Sequence, residues 1–197
     1  MTAQEFDVVV VGSGAAGMVA ALTAAHQGLS AVVIEKAPHF GGSTARSGGG
    51  VWIPNNEILK RDGVTDTKDA ARTYLHTIIG DVVEPERIDT YLERGPEMLS
   101  FVLKNTPLKM CWVPGYSDYY PETAGGRPGG RSIEPKPFDA KKLGPDEKYL
   151  EPAYGKVPLN VVVMQQDYVR LNQLKRHPRG VLRSLKVGAR TLWASSR

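Results

Sequence analysis

The sequence of 197 residues lacks the features that mark secreted and membrane proteins. It has a single cysteine, Cys111, so no intrachain disulfide is possible, and this fits a reducing compartment. No apolar run approaches the roughly 20 residues that a membrane-spanning helix needs. The N-terminus lacks the basic region that begins a signal peptide. We therefore expect a cytoplasmic protein without a transmembrane segment.

Patterns typical of metal-binding and nucleic-acid-binding proteins are also missing. The four histidines have no metal-site spacing among themselves or to acids, so no bound metal is expected. The net charge is +4, and eight Lys or Arg residues with no acid follow Asp167. Because aromatic residues are almost absent from that basic stretch, we predict a solvated basic face and no nucleic-acid partner.

The N-terminus does contain a strand–helix–strand pattern. The short apolar run at residues 6–11 predicts a strand buried on both faces of a parallel sheet. The Ala-rich segment 15–27 predicts a helix that ends at Gly28, and residues 30–34 predict a second buried strand. This order is typical of a right-handed βαβ crossover.

The first predicted strand is followed at once by a GxGxxG motif, Gly12-Ser-Gly-Ala-Ala-Gly17. Gly12 permits a tight turn, Gly14 lets a diphosphate approach the backbone, and Gly17 lets the helix lie close to the strand. The free N–H groups and the positive dipole end of the helix favour the diphosphate. Glu35, at the end of the second strand, is predicted to accept ribose hydroxyls and to disfavour the 2′-phosphate of NADP.

These features together predict a dinucleotide site. The alternative is a Gly-rich turn without a ligand, and the presence of strand, helix and acid in the required order counts against it. The predicted residues of this part of the site are Gly12, Ser13, Gly14, Ala15, Ala16, Gly17, Glu35 and Lys36.

FAD and NAD both use such a unit, and a second Gly-rich segment favours FAD. Residues 41–50 follow the second strand, and their glycines allow backbone to lie flat against a large ligand. Their hydroxyl groups offer polar contacts without bulk, which suits a flavin and its ribityl diphosphate arm. On composition alone, a flexible surface loop is an equally good interpretation. The predicted flavin-contacting residues are Gly42, Ser43, Thr44, Ser47, Gly48 and Gly49.

The rest of the chain is predicted to be loops with helices and short strands. Many of its 21 glycines and 14 prolines fall between Gly41 and Gly155, so much of this stretch is predicted to be loop. Apolar spacing predicts the regular elements. The predicted segments are a loop at 38–54, helices at 67–79, 86–93, 96–104 and 165–176, and a strand at 157–163.

Several segments together make the chain resemble a known enzyme family. The strings VVVVGSGAAG and VVIEKAPHFGGSTARSGGGVWIPNN cover the two Gly-rich segments. The likeness continues through WVPGYSDYYP, GGR and EPKPFD, at residues 112–121, 129–131 and 134–139. These motifs are similar to those of the FAD-dependent 3-ketosteroid dehydrogenases, within the wider fumarate reductase/succinate dehydrogenase flavoprotein superfamily. The likeness covers nearly the whole chain.

The resemblance implies an α/β fold in which a Rossmann-like FAD-binding βαβ unit is followed by the start of an α+β catalytic domain. It implies a first FAD-binding segment at residues 1–60 and the N-terminal part of a catalytic domain at 61–197. In the family, the base tyrosine, the ketone-binding residues and the strands that complete the FAD-binding domain come later in the chain. We therefore expect a truncated, N-terminal portion of such an enzyme.

The implied reaction is the 1,2-dehydrogenation of a 3-ketosteroid, in which a proton leaves C2 and a hydride passes from C1 to flavin N5. The resemblance implies that Tyr120 supports the base tyrosine by favouring its phenolate. Tyr116 and Tyr119 are interpreted as buried structural residues. The implied substrate is a steroid, and the electron acceptor is left open. The alternatives are a 4-ene-forming steroid dehydrogenase, a fumarate reductase-like enzyme or a non-catalytic flavin-binding fragment.

Overall fold

The computed structural model describes residues 4–154, 161, 163–171 and 178–195. The chain divides into two units. The first unit consists of Met1–Gly49 and Asp139–Pro158, and the second of Gly50–Phe138 and Leu159–Arg197. The chain therefore leaves the first unit after Gly49 and returns to it later. The division into an FAD-binding segment at 1–60 and a catalytic part at 61–197 concerns function, and it stays a prediction.

The first unit is built on a βαβ crossover. Strands β1 and β2 pair in parallel, with Val8 opposite Ala31 and Val11 opposite Ile34. The helix between them ends where Gly28 takes a φ of 83°, a conformation that favours glycine. The predicted strand–helix–strand order is confirmed. The elements of this unit are β1 Val8–Val11, α1 Ala15–His26, β2 Ala31–Ile34, α2 Gly42–Arg46 and a 3₁₀ segment, Ala140–Tyr149, broken at Gly144.

The prediction that the first strand is buried on both faces is wrong for this chain. Val10 is buried, but Val9 is 57% exposed and Val11 is 80% exposed. An uninterrupted apolar run is typical of a strand with neighbours on both edges and cover on both faces. Within the described residues β1 pairs with β2 alone, so its outer valines stay in contact with solvent.

The second unit contains a three-stranded antiparallel sheet and most of the helices. The strand order is β3-β5-β4, with Ile133 of the central strand opposite both Val51 and Trp112. Ile133 and Leu59 are fully buried in the main apolar cluster. The elements of this unit are β3 Val51–Trp52, α3 Glu57–Arg61, α4 Lys68–Ile79, a 3₁₀ turn Gly80–Val82, α5 Pro85–Asn105, β4 Met110–Trp112, β5 Ser132–Pro135, α6 Gln165–Leu171 and α7 Pro178–Ser195.

Two of the predicted segments differ from the structure. The predicted loop at 38–54 contains helix α2 and strand β3. The two helices predicted at 86–93 and 96–104 form the single helix α5, which continues through Gly95 and Pro96. The apolar face of α5 runs unbroken through Ile88, Leu92, Gly95 and Leu99, and burial of that face outweighs the local Gly-Pro signal. The helix predicted at 67–79 is confirmed as α4, capped by the Thr67 side chain.

The end of the chain is described in part. The predicted strand at 157–163 lies largely outside the described residues, as does the second half of the helix predicted at 165–176. The basic stretch is not wholly a solvated face, because Arg183 and Arg190 both bind the fully buried Asp167. Burial raises the pKa of Asp167, but hydrogen bonds from Arg190, the Met164 N–H and Arg183 outweigh burial and lower the pKa overall.

None of the helices in the described part of the chain is long and apolar enough to cross a membrane.

Candidate functional site: a glycine-lined cradle and a tyrosine loop

The turn after β1 is as tight as the GxGxxG motif predicts. Gly12 takes a φ of 95°, and its N–H donates to the Ile34 carbonyl at 2.8 Å, which ties the turn to β2. A Cβ at Gly17 would lie 1.9 Å from the Gly12 carbonyl oxygen and 3.2 Å from Val10 Cγ1. No side chain fits there, so the first turn of α1 lies directly on the strand end.

The N-terminus of α1 carries small residues, and its N-cap residue supplies no side-chain hydrogen bond to the helix. Gly14 occupies the N-cap position, and a Cβ there would meet only Thr44 Oγ1, at 3.9 Å. Ala15 and Ala16, which open the helix, are both exposed. The structure therefore leaves backbone N–H groups and the positive end of the helix dipole accessible to an anion.

Glu35 is exposed and is held by three hydrogen bonds. Its Oε2 accepts from the Ser13 N–H at 2.9 Å and from the Ser13 hydroxyl at 2.5 Å, and its Oε1 accepts from the Ala37 N–H at 3.0 Å. The bond from Ala37, followed by the two from Ser13, lowers the pKa of Glu35 to about 2. A carboxylate offers about four lone-pair sites. Glu35 thus retains room for about one further donor, such as a ribose hydroxyl, while the neighbouring Lys36 is exposed.

The second Gly-rich segment meets the first. The buried Ser13 hydroxyl accepts from the Gly41 N–H at 2.9 Å, and the Ala15 N–H donates to Thr44 Oγ1 at 3.2 Å. A Cβ at Gly42 would lie 3.5 Å from Gly14 Cα. The two segments that sequence reasoning assigned to one cofactor are therefore brought together in the structure.

The hydroxyl groups of residues 41–50 differ in how far they are engaged in hydrogen bonds within the protein. The Ser47 hydroxyl donates to the Thr44 carbonyl at 2.9 Å and accepts from the Gly49 N–H at 3.0 Å, so it shapes the turn. Thr44 already accepts from α1. Ser43 and Gly48 are exposed, and Gly49 takes a φ of 67°.

A support for this segment was not foreseen from the sequence. Residues 149–154 lie against it: the Phe40 N–H donates to the Tyr149 carbonyl at 2.7 Å, and the Glu151 N–H donates to the Phe40 carbonyl at 2.8 Å. The Arg46 guanidinium lies 3.7 Å from the Glu151 carboxylate and 5.3 Å from the centre of the Tyr154 ring. Nothing local in the sequence signals this pairing, because the partners are far apart along the chain.

In the second unit, Tyr120 lies on a long loop and is 53% exposed. Its backbone is held at both polar atoms. The N–H donates to the Tyr74 hydroxyl at 3.2 Å, and the carbonyl accepts from the Thr123 hydroxyl at 2.8 Å. The interpretation of Tyr116 and Tyr119 as buried residues is wrong, since they are 38% and 85% exposed.

A buried ionic cluster beneath this loop was also missed. Arg131 is fully buried and binds two buried carboxylates, those of Asp66 and Asp118. Asp118 also accepts from the Trp52 indole N–H at 2.8 Å. Charged residues are rarely buried, so residue type alone predicts the surface for all three.

The first unit fits a diphosphate-containing cofactor. Both of its Gly-rich segments lie at the N-terminus of α1, and Glu35 follows the end of β2. These are the parts that hold a diphosphate and a ribose in a dinucleotide-binding βαβ unit. Among the described residues, no group of three or more His, Cys, Asp or Glu side chains could hold a metal ion.

A family model described as the FAD binding domain matches residues 7–194. The chain belongs to the FAD binding domain family, and FAD is the cofactor of this family. The predicted flavoprotein family and cofactor are thereby confirmed.

Two curated relatives have a narrower description. The chain is 85% identical over 196 residues to 3-oxosteroid 1-dehydrogenase of Mycobacterium tuberculosis (strain ATCC 25618 / H37Rv), matching 100% of this chain and 35% of the relative. It is 84% identical to the enzyme of the same name from Mycolicibacterium smegmatis, matching 98% of this chain and 34% of the relative. The chain thus spans about a third of the length of these curated relatives.

A solved structure has the same fold. It is 3-ketosteroid delta1-dehydrogenase from Sterolibacterium denitrificans, in complex with 1,4-androstadiene-3,17-dione. The TM-score is 0.83 at 38% identity, and the match covers 92% of this chain and 32% of that one.

Proposed function

We propose that this chain forms the FAD-cradling and tyrosine-bearing part of an FAD-dependent 3-ketosteroid dehydrogenase, which introduces a C1–C2 double bond into its substrate. The observation that carries the proposal is the meeting of two Gly-rich segments at the N-terminus of α1. The 85% identity to 3-oxosteroid 1-dehydrogenase supports the steroid substrate.

The residues of the first unit have distinct roles in this proposal. Gly12 to Gly17, with the N–H group of Ala16, hold the diphosphate, and Glu35 with Lys36 holds the adenosine ribose. Gly42, Ser43, Thr44, Ser47, Gly48 and Gly49 form the wall against which the ribityl arm and flavin lie. When bound, FAD supplies the hydride acceptor.

Tyr120 is the residue of this chain that we assign to the proton-transfer machinery. A base tyrosine has an ordinary pKa near 10. A hydrogen bond from a second phenol favours the phenolate and lowers that pKa. The half-exposed side chain of Tyr120, on a backbone anchored at both polar atoms, supports this role.

A chimera tests the proposal, because the chain spans a third of its relatives. In the Mycobacterium tuberculosis relative, the matched third is replaced by this chain. We expect the purified chimera to be yellow and to dehydrogenate a 3-ketosteroid with an artificial electron acceptor. The unmodified relative is the positive control. A folded chimera that fails to retain FAD would overturn the assignment of the two Gly-rich segments and Glu35 as part of the FAD site.

A further inference from the structure

The loop at residues 116–131, here called the tyrosine loop, is closed on itself. The Asp118 N–H donates to the Arg127 carbonyl at 3.1 Å, and the Arg127 N–H donates back to the Asp118 carboxylate at 3.0 Å. A Cβ at Gly126 would lie 2.6 Å from the Tyr120 carbonyl oxygen. The loop is therefore compact, and Tyr120 lies in the part of it that the Asp118–Arg127 contact closes off.

The start and the end of the tyrosine loop are fixed by the buried ionic cluster of Arg131, Asp66 and Asp118. The Arg131 guanidinium donates to Asp66 at 2.9 Å, to Asp118, and to the Gly125 carbonyl at 2.8 Å. The Arg131 guanidinium thus ties the loop to Asp66, which lies outside it, and to Asp118 and Gly125 within it. Moving one of the three charged side chains away would leave another buried charge without a counterion. This part of the loop is therefore costly to displace.

Helix α4 provides the surface on which the loop lies. A Cβ at Gly125 would be 2.2 Å from the Ala70 carbonyl oxygen and 2.8 Å from the Tyr74 nitrogen, so loop and helix backbones are in direct contact. Tyr74 is only 3% exposed, and its ring centre lies 5.7 Å from the Arg131 guanidinium. Its hydroxyl oxygen is the acceptor for the Tyr120 N–H.

We propose that Tyr74 is a positioning residue: its buried hydroxyl fixes the backbone at Tyr120, so that the exposed Tyr120 phenol is presented in one orientation. This inference rests on the role proposed above for Tyr120. A side chain that is half exposed has little packing to orient it. Its direction therefore depends on its own backbone, and that backbone is held by Tyr74 on one side and Thr123 on the other.

Tyr74→Phe isolates the hydroxyl, because the ring that packs beside Trp52 and Arg131 is kept. In the chain itself, hydrogen–deuterium exchange is measured by mass spectrometry with fragmentation to single amides. We expect the Tyr120 amide to exchange several-fold faster in Tyr74→Phe. The Asp118 amide, which donates to the Arg127 carbonyl, and the Arg127 amide, which donates to the Asp118 carboxylate, should keep their protection. Equal exchange at Tyr120 in both proteins would overturn the inference.

Turnover in the chimera gives the second measurement. Tyr74→Phe should lower kcat several-fold with little change in steroid KM, in FAD content or in unfolding temperature. The matched control is Tyr119→Phe, which removes the hydroxyl group of a residue that lies on the same loop and is 85% exposed. An unchanged kcat in Tyr74→Phe, or a loss that parallels the loss of FAD and stability, would contradict a positioning role.

The two measurements also separate this inference from the proposed function. An unmodified chimera that produces no 1,2-dehydrogenated steroid would count against the proposed function. The exchange rate of the Tyr120 amide would still report whether Tyr74 holds that backbone.

Discussion

At the scale of single residues, two glycines of the fingerprint have separable roles. A Cβ at Gly17 would collide with the Gly12 carbonyl oxygen, whereas one at Gly14 finds room within the protein. We predict that Gly17→Ala destabilises the first unit, by about 1–3 kcal/mol as in other overpacked sites. Gly14→Ala should leave stability unchanged and weaken FAD binding about tenfold or more, because its methyl group occupies space meant for the diphosphate.

Thermal unfolding and FAD titration of the two chimera variants check this prediction. Gly14→Ala is the matched control for fold, since the substitution has the same size and lies in the same motif. A Gly14→Ala variant with full FAD affinity would show that the diphosphate does not approach the backbone there.

Glu35 gives a prediction about pH. Its pKa in the folded chain is held near 2, below the ordinary value of 4.5, by hydrogen bonds from Ala37 and Ser13. The ionised carboxylate therefore stabilises the fold above pH 4.5, and this contribution is lost as the pH falls from 4.5 through about 2. Glu35→Gln should flatten the pH dependence of unfolding within that window, as followed by circular dichroism. An identical acid titration of the two proteins would refute this assignment.

Tyr120→Phe tests the residue assigned to proton transfer. We predict that kcat of the chimera falls about tenfold to a hundredfold, the effect of losing one hydrogen bond to a charged group. The flavin content should stay the same, because the substitution removes only a hydroxyl. Visible absorbance and steady-state kinetics measure both quantities, and a parallel loss of flavin would instead indicate a structural role.

Some residues of the two sites were predictable from the sequence, and others were not. Gly12, Gly14, Gly17 and Glu35 were predictable because their spacing follows from the local geometry of a βαβ turn. Arg131 was not, since its burial depends on the Asp66 carboxylate from a distant segment and on the fold of the loop that brings Asp118 to it.

At the scale of elements, α5 is the clearest departure from expectation. Gly95 and Pro96 look like a break between two helices, yet the helix continues because Gly95 faces Ile53. A Cβ at Gly95 would lie 3.4 Å from Ile53 Cγ2, in van der Waals contact, so the longer side chain of leucine would have to displace its neighbours. Tertiary packing here outweighs local propensity, which single-sequence patterns cannot report.

This packing gives a prediction at the element scale. Gly95→Leu should destabilise the second unit by about 1–3 kcal/mol through overpacking. Gly188→Ala in α7 is the control, because a Cβ there meets nothing within 4 Å, and it should raise stability by about 0.5–1 kcal/mol. Denaturant unfolding compares the two, and a neutral Gly95→Leu would mean that Gly95 and Ile53 are not in close contact.

At the scale of the whole molecule, large apolar side chains are exposed in both units of the chain. Exposed apolar side chains occur both on the βαβ unit, at Val9 and Val11, and on α7, at Leu182, Leu185 and Leu192. Patches of this kind favour association. We predict that the chain alone binds a hydrophobic dye and self-associates, and that the chimera does neither to the same degree. A monomeric chain without dye binding, by light scattering and fluorescence, would contradict this.

The product formed by the chimera shows whether this chain supplies a working part of a ketosteroid-dehydrogenating flavoenzyme. A saturated-ring-A 3-ketosteroid is incubated with the chimera and an artificial electron acceptor, and the product is analysed by mass spectrometry and NMR. We expect a product that has lost two hydrogens and carries its new double bond between C1 and C2. A chimera that retains FAD but places the double bond elsewhere, or forms none while the unmodified relative does, would contradict it.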